Sequence, residues 1–158
     1  MKKIYFAFLF LCILATAQTT TYNPSVQYGE EQQEIYDTFK ELFVKRVESE
    51  SYQKWRQASN IFLEKTNQPL KTLMTEHTTF LEWIKNNLSS TAFESYEEAE
   101  NDWNTLTEAY ILDKKENSEY YTLTEKLYKE EWGYRLIADA MSDVICSNSE
   151  IFKRTKKQ

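Results

Sequence analysis

Apolar residues recur along most of this chain at the three- and four-residue spacing of amphipathic helices. The first stripe, which starts near residue 30, consists of Ile35, Phe39, Leu42, Phe43 and Val47. The second stripe consists of Tyr52, Trp55, Ser59 and Phe62. No Gly or Pro lies between the two stripes, so the pattern predicts helical structure there without showing whether it is interrupted near residues 49–51.

A third predicted helix follows the sequence Thr66-Asn67-Gln68-Pro69, which is typical of a helix end followed by a proline that opens the next helix. Its stripe consists of Leu70, Met74, His77, Leu81, Ile84 and Leu88. Two capping-box patterns come next, Thr91–Glu94 and Ser95–Glu98. Each pairs a hydroxyl with a carboxylate that can satisfy free amides, so each marks a possible helix start.

The fourth stripe consists of Tyr96, Ala99, Trp103, Leu106 and Tyr110. Asn117-Ser118 interrupts the pattern, and the last stripe consists of Leu123, Leu127, Tyr134, Ile137, Met141 and Val144. Gly133 lies inside this last predicted helix, where it costs about 1 kcal/mol relative to Ala. We therefore expect a kink or a close helix crossing at Gly133.

No segment shows the alternation of a β-strand, so the pattern predicts an all-α protein. Helices with one apolar face must bury it against one another, and short connections favour an up-and-down bundle of four to five helices. We place the bundle domain at residues 30–152, after a polar, flexible segment at 18–29. A basic tail at 153–158 follows it.

The first seventeen residues have the layout of a cleaved secretory signal peptide. Lys2 and Lys3 precede an uncharged run from Ile4 to Leu14, and Ala15-Thr16-Ala17 supplies small residues for cleavage before Gln18. The run is shorter than the roughly 20 residues that span a bilayer, so we expect no stable membrane anchor. The sequence thus predicts an exported protein, periplasmic or extracellular, and the short leader is typical of bacteria.

Removal of the leader makes the chain more acidic. The 19 basic residues lose Lys2 and Lys3, which leaves 17 against 25 acidic residues and a formal charge of −8. Such a surface repels phosphates, so we expect no nucleic acid partner. The basic tail carries Lys153, Arg154, Lys156 and Lys157. These charges either complement a helix dipole or contact anionic lipid weakly.

The sequence lacks the sets of residues that most kinds of catalysis require. His77 is the only histidine, and its stripe position predicts a core residue rather than a catalytic base. Cys146 is the only cysteine beyond the leader, and we expect it to be buried because it follows Val144 and Ile145, although an intermolecular disulfide remains an alternative. One Cys and one His cannot form a zinc site, and two glycines cannot form a phosphate loop. We therefore predict no catalytic residues, no metal and no cofactor.

One segment differs from the rest in charge. From Asn86 through Asp113 there are seven acidic residues and no Lys or Arg. On a helical wheel, five of them lie opposite the apolar stripe of the fourth helix: Glu94, Glu97, Glu98, Asp102 and Glu108. This face is either a solvated surface that favours solubility or a docking surface for a basic protein.

These observations predict a non-catalytic exported protein that binds another protein. An inhibitor or an immunity-type partner of a basic secreted hydrolase fits the acidic face. The alternatives are a carboxylate-dependent hydrolase of cell-wall or extracellular glycan, for which a linear sequence marks no carboxyl pair, and a purely structural envelope component. The oligomeric state stays open.

Overall fold

The computed structural model describes residues 28–66 and 80–147. Within them 87% of residues are helical and no strand occurs, which confirms the all-α prediction. The helices are α1 (Glu30–Glu48), α2 (Glu50–Thr66), α3 (Phe80–Asn87), α4 (Tyr96–Glu116), α5 (Ser118–Leu127) and α6 (Gly133–Ser147). The predicted leader and lead-in up to residue 27, His77 and the basic tail lie outside the described residues.

Ser49 alone separates α1 from α2, where the sequence contains neither Gly nor Pro. Its backbone is extended, and its Oγ donates to the carbonyl of Arg46 at 2.7 Å. The same Oγ accepts the backbone N–H of Tyr52 at 3.3 Å. A single hydroxyl therefore satisfies free backbone groups of both helices.

The helix start predicted at Ser95 is present, whereas the start predicted at Thr91 is wrong. The backbone N–H of Glu98 donates to Ser95 Oγ at 3.1 Å, and the Glu98 carboxylate accepts the N–H of Glu94 at 2.6 Å. Thr91 instead closes the 3₁₀ turn Leu88–Ser90, because its Oγ1 donates to the carbonyl of Leu88 at 2.7 Å.

The last predicted helix is divided at residues 128–132, so the described residues contain six α-helices rather than four or five. Gly133 begins α6 at a close backbone approach, since a Cβ on it would lie 1.9 Å from the carbonyl oxygen of Leu127. The prediction placed a kink or a close helix crossing inside one helix, whereas the close approach lies in the turn between α5 and α6. Tyr134 was predicted on the buried stripe, but it is 55% exposed.

Contacts divide the described chain into two compact units, and the boundary falls inside α2 and α4. Of the described residues, the first unit contains 56–66 and 80–108. Its core is aromatic: the rings of Phe62 and Phe80 lie 4.6 Å apart, and those of Phe80 and Trp103 lie 5.2 Å apart. Ile84, Ala99 and Leu106 are buried in the same unit.

The second unit contains residues 28–55 and 109–147. Helix α1 packs against α5 and α6 there. The rings of Phe39 and Phe43 lie 5.4 and 6.1 Å from that of Tyr120, and Leu136 and Ile137 are buried. Among the described helices, none is long and apolar enough to cross a membrane.

Candidate functional site

The acidic residues singled out in the sequence differ in their setting. Glu97 and Glu108 are exposed on α4, as predicted. Glu94 is also exposed, but it precedes the helix, so its placement on a helical face was wrong. Glu98 and Asp102 are half-buried on α4. We call Glu94, Glu97, Glu98 and Asp102, which all belong to the first unit, the acidic surface.

A lysine from the preceding helix crosses to this surface. Lys65, next to the end of α2, donates from Nζ to Glu98 Oε1 and to Asp102 Oδ2, each at 2.7 Å. Its carbonyl oxygen also accepts the backbone N–H of Ala92 at 2.8 Å. No local pattern marks Lys65 for this role, because it lies 33 and 37 residues before its two partners.

Lys65 partly offsets the acidic charge and holds two carboxylates in place. Hydrogen bonds from Lys65 to Asp102 and Glu98 raise the pKa of the lysine. The hydrogen bond from Lys65, followed by that from the Glu94 N–H, lowers the pKa of Glu98. Lys65 and Glu98 are therefore charged at neutral pH. One ammonium group balances only one of the four carboxylates of the acidic surface.

The remaining carboxylates face solvent without a counter-charge from the described residues. Glu94 and Glu97 of the acidic surface form no ion pair within residues 28–66 and 80–147, and neither does Glu108, which follows Asp102 by six residues. Exposed carboxylates of this kind can steer a basic molecule and form ion pairs with it. They contribute little to the stability of the fold itself.

Asp113, the last residue of the acidic run, accepts several side-chain hydrogen bonds from other described residues. Asp113 lies on α4 in the second unit and is fully buried. Its Oδ2 accepts hydrogen bonds from Arg46 Nε at 3.0 Å and Arg46 Nη2 at 2.7 Å. Tyr121 donates to the same oxygen at 2.5 Å, and Asn117 Nδ2 donates to Oδ1 at 2.9 Å.

Aromatic rings surround the other partner of this ion pair. The guanidinium carbon of Arg46 lies 4.5–5.3 Å from the ring centroids of Tyr52, Trp55, Tyr120 and Tyr121. At this distance the ring faces stabilise a cation. Burial acts to lower the pKa of Arg46, but its charged and polar neighbours outweigh burial and raise it.

This buried cluster has a structural role. Burial is the main cause that raises the pKa of Tyr121, so its hydroxyl stays protonated and donates to Asp113. Both oxygens of Asp113 already accept hydrogen bonds from Arg46, Tyr121 and Asn117. A fully buried carboxylate whose oxygens already accept these hydrogen bonds is not accessible to a substrate.

A separate open groove of about 630 Å³ lies in the second unit. Its lining comes from α1, α6 and the Ser49 junction. Both basic and acidic side chains line the groove. The lining residues are Lys40, Glu41, Val44, Lys45, Glu48, Ser49, Val144 and Ser147. Lys40 is engaged in an ion pair with Asp143 of α6. The mixture of charges gives the groove no preference for one sign of ligand.

The expectation that Cys146 is buried was wrong, because its side chain is exposed. Val144 is buried on α6, and two further residues rotate the helix by about 200°. Cys146 therefore lies on the opposite face from Val144, next to apolar residues in the sequence only. In the described part of the chain, no group of three or more His, Cys, Asp and Glu side chains could hold a metal ion.

No protein-family model, no curated protein and no solved structure matches this chain. Its function has to follow from its own residues.

Proposed function

We propose that this chain is an exported, non-catalytic helical protein that binds a basic protein through the acidic surface. The observation that carries the proposal is the state of Glu98 and Asp102, which Lys65 holds at 2.7 Å beside the exposed Glu94 and Glu97. Because Lys65 already orders two of these carboxylates, a partner loses less conformational entropy when it binds them.

Export is the second part of the proposal. Lys2, Lys3, the short apolar run and Ala15-Thr16-Ala17 support a signal peptide that is cleaved before Gln18. The mature protein would then act in the periplasm or outside the cell, as a bundle of helices without a membrane anchor. Its partner would be located in the same compartment.

The charge of the mature chain supports a basic partner. With 17 basic and 25 acidic residues, the mature protein attracts cationic proteins over distances of about a Debye length, and the acidic surface orients them. Glu108 extends the same negative charge along α4. An inhibitor or immunity-type partner of a basic secreted hydrolase is the class that fits these properties, because such pairs depend on fast, charge-steered association.

The test is affinity capture with the tagged mature chain from the culture fluid and envelope extract of its own organism. The first variant reverses the acidic surface to lysine at Glu94, Glu97, Glu98 and Asp102. The control variant reverses an equal set of three exposed Glu and one exposed Asp on α1, namely Glu30, Glu31, Glu34 and Asp37. The two variants have the same net charge, but only the first also breaks the ion pairs of Lys65.

We expect the natural chain and the α1 variant to retain a basic protein that the acidic-surface variant loses. Circular dichroism of all three chains checks that the helices are preserved. Equal capture by both variants, or capture of an acidic protein only, would show that the acidic surface is not the binding surface.

A further inference from the structure

Two neighbouring apolar side chains on α4 are exposed. Ile111 is 60% exposed and Leu112 is 37% exposed. Single exposed apolar residues are common on protein surfaces and need no explanation. An adjacent pair on one side of a regular helix is different, since both side chains can be covered by one contact.

The apolar pair has a negative charge on one side and a positive charge on the other. Glu108 precedes Ile111 by three residues, and Lys115 follows Leu112 by three residues. Residues at this spacing share one face of a helix, and α4 is continuous from Tyr96 to Glu116. Both charged side chains are exposed, and neither forms an ion pair with another described residue.

Glu108 and Lys115 cannot neutralise each other within one chain. Seven residues of helix place them about 10 Å apart along the axis, which exceeds an ion-pair distance. The order along the face is therefore negative, apolar, apolar, positive. Its midpoint falls between Ile111 and Leu112.

This order is complementary to itself when the helix is turned end to end. A twofold axis between Ile111 and Leu112 places Glu108 of one copy opposite Lys115 of the other, and the reverse contact forms by symmetry. The same axis places Ile111 of one copy against Leu112 of the other. We propose that the protein forms a homodimer through antiparallel contact of this face of α4.

The size of the contact predicts a weak dimer. Two turns of helix bury far less than the roughly 1,200–2,000 Å² of a stable protein interface. A second copy is favoured over another partner because it supplies an opposite charge at each end of the face. The proposal goes beyond the binding of a basic protein and does not depend on the acidic surface.

Sedimentation equilibrium of the mature chain over a range of concentrations tests the dimer. We expect Glu108→Lys alone and Lys115→Glu alone each to weaken self-association about tenfold or more, because each places like charges at both symmetry-related contacts. The double variant E108K/K115E restores opposite charges and should return the dissociation constant to within about threefold of the natural value. Glu97→Lys, an exposed change on the same helix about 16 Å before Glu108 along the axis, lies beyond this contact and should have no effect.

A chain that stays monomeric at every concentration would overturn the proposal. So would a dimer that the single reversals do not weaken, or single reversals that the double variant fails to rescue. All the substituted side chains are exposed, so circular dichroism should be unchanged. Loss of the dimer in Lys115→Glu with retained capture of a basic partner would separate this proposal from the acidic surface.

Discussion

Arg46 of α1 directs two hydrogen bonds at a single carboxylate oxygen of Asp113 on α4, from Nε at 3.0 Å and from Nη2 at 2.7 Å. The two residues are 67 positions apart, and their pairing connects the two chain segments of the second unit. Removal of one member of a buried pair leaves an unpaired charge, which costs far more than the intact pair contributes.

We expect Asp113→Leu to lower the free energy of unfolding by about 3–5 kcal/mol, because it leaves the buried guanidinium of Arg46 without its carboxylate. The double variant R46M/D113L removes both charges and should be more stable than Asp113→Leu alone. Urea unfolding followed by circular dichroism measures both. A double variant at least as unstable as the single variant would mean that the unpaired charge does not cause the loss of stability.

The substitution Gly133→Ala should destabilise the protein, although Ala is usually the better residue in a helix by about 1 kcal/mol. The added Cβ would lie 1.9 Å from the carbonyl oxygen of Leu127, so the backbone between α5 and α6 has to move. We expect a loss of about 1–3 kcal/mol in thermal or urea unfolding.

Gly29→Ala is the matched control for Gly133→Ala. A Cβ on Gly29 meets nothing within 4 Å. Gly29 is the N-cap of α1, where Ala is a somewhat poorer residue than Gly, so we expect a cost below about 1 kcal/mol. Equal effects at the two glycines would contradict the close approach between Gly133 and Leu127.

The ion pairs of Lys65 should stabilise the protein only within a window of pH. The folded pKa of Glu98 lies below its unfolded value, so this contribution is present above the unfolded pKa and is lost as the pH falls through the folded pKa. The pKa of Lys65 is raised, so its contribution is lost as the pH rises through the folded value. The window therefore extends between about pH 5 and pH 10.

We expect Lys65→Met to be less stable than the natural chain inside that window, with the difference shrinking below about pH 4. NMR titration should also show the pKa of Glu98 rising in the variant. Lys129→Met removes an exposed lysine that forms no ion pair with the described residues, and it should show no such window. A stability difference independent of pH would indicate that Lys65 acts through packing alone.

The thiol of Cys146 should react in the folded protein. Because the side chain is exposed, we expect one equivalent of a thiol reagent such as DTNB to label the native mature chain within minutes at pH 8. The unfolded chain in urea gives the reference rate. Labelling that requires urea would show that Cys146 is protected and would restore the expectation from its apolar neighbours.

The periodicity of apolar residues predicted most of the helices. Tyr52, Trp55, Ser59 and Phe62 are all buried, as their spacing indicated. The sequence left the break at Ser49 open, because a hydroxyl ends one helix and begins the next there without Gly or Pro. The division after Leu127 was missed because the stripe continues across it.

The buried ion pair could have been found from the same spacing. Asp113 follows Leu106 by seven residues and Tyr110 by three, so it continues the apolar stripe of α4. Arg46 follows Phe39 and Phe43 in the same way on α1. Two opposite charges at stripe positions on different helices predict a buried pair, but a search for apolar residues alone passes over them.

The acidic surface was predictable in part. Exposure of Glu97 follows from the helical wheel. The position of Glu94 before the helix depends on where the Ser95 cap begins it, and sequence patterns often leave such boundaries open. The pairing of Lys65 with Glu98 depends on tertiary contacts between distant segments, for which the local sequence has no signal.

Binding through the acidic surface is tested most directly by the rate of association between the mature chain and its captured basic partner, measured as a function of salt concentration. For the natural chain we predict a rate constant that falls steeply with salt. For the variant with lysine at Glu94, Glu97, Glu98 and Asp102 we predict association at least about tenfold slower at low salt and nearly independent of salt. An unchanged rate and an unchanged salt dependence in that variant would contradict binding through the acidic surface.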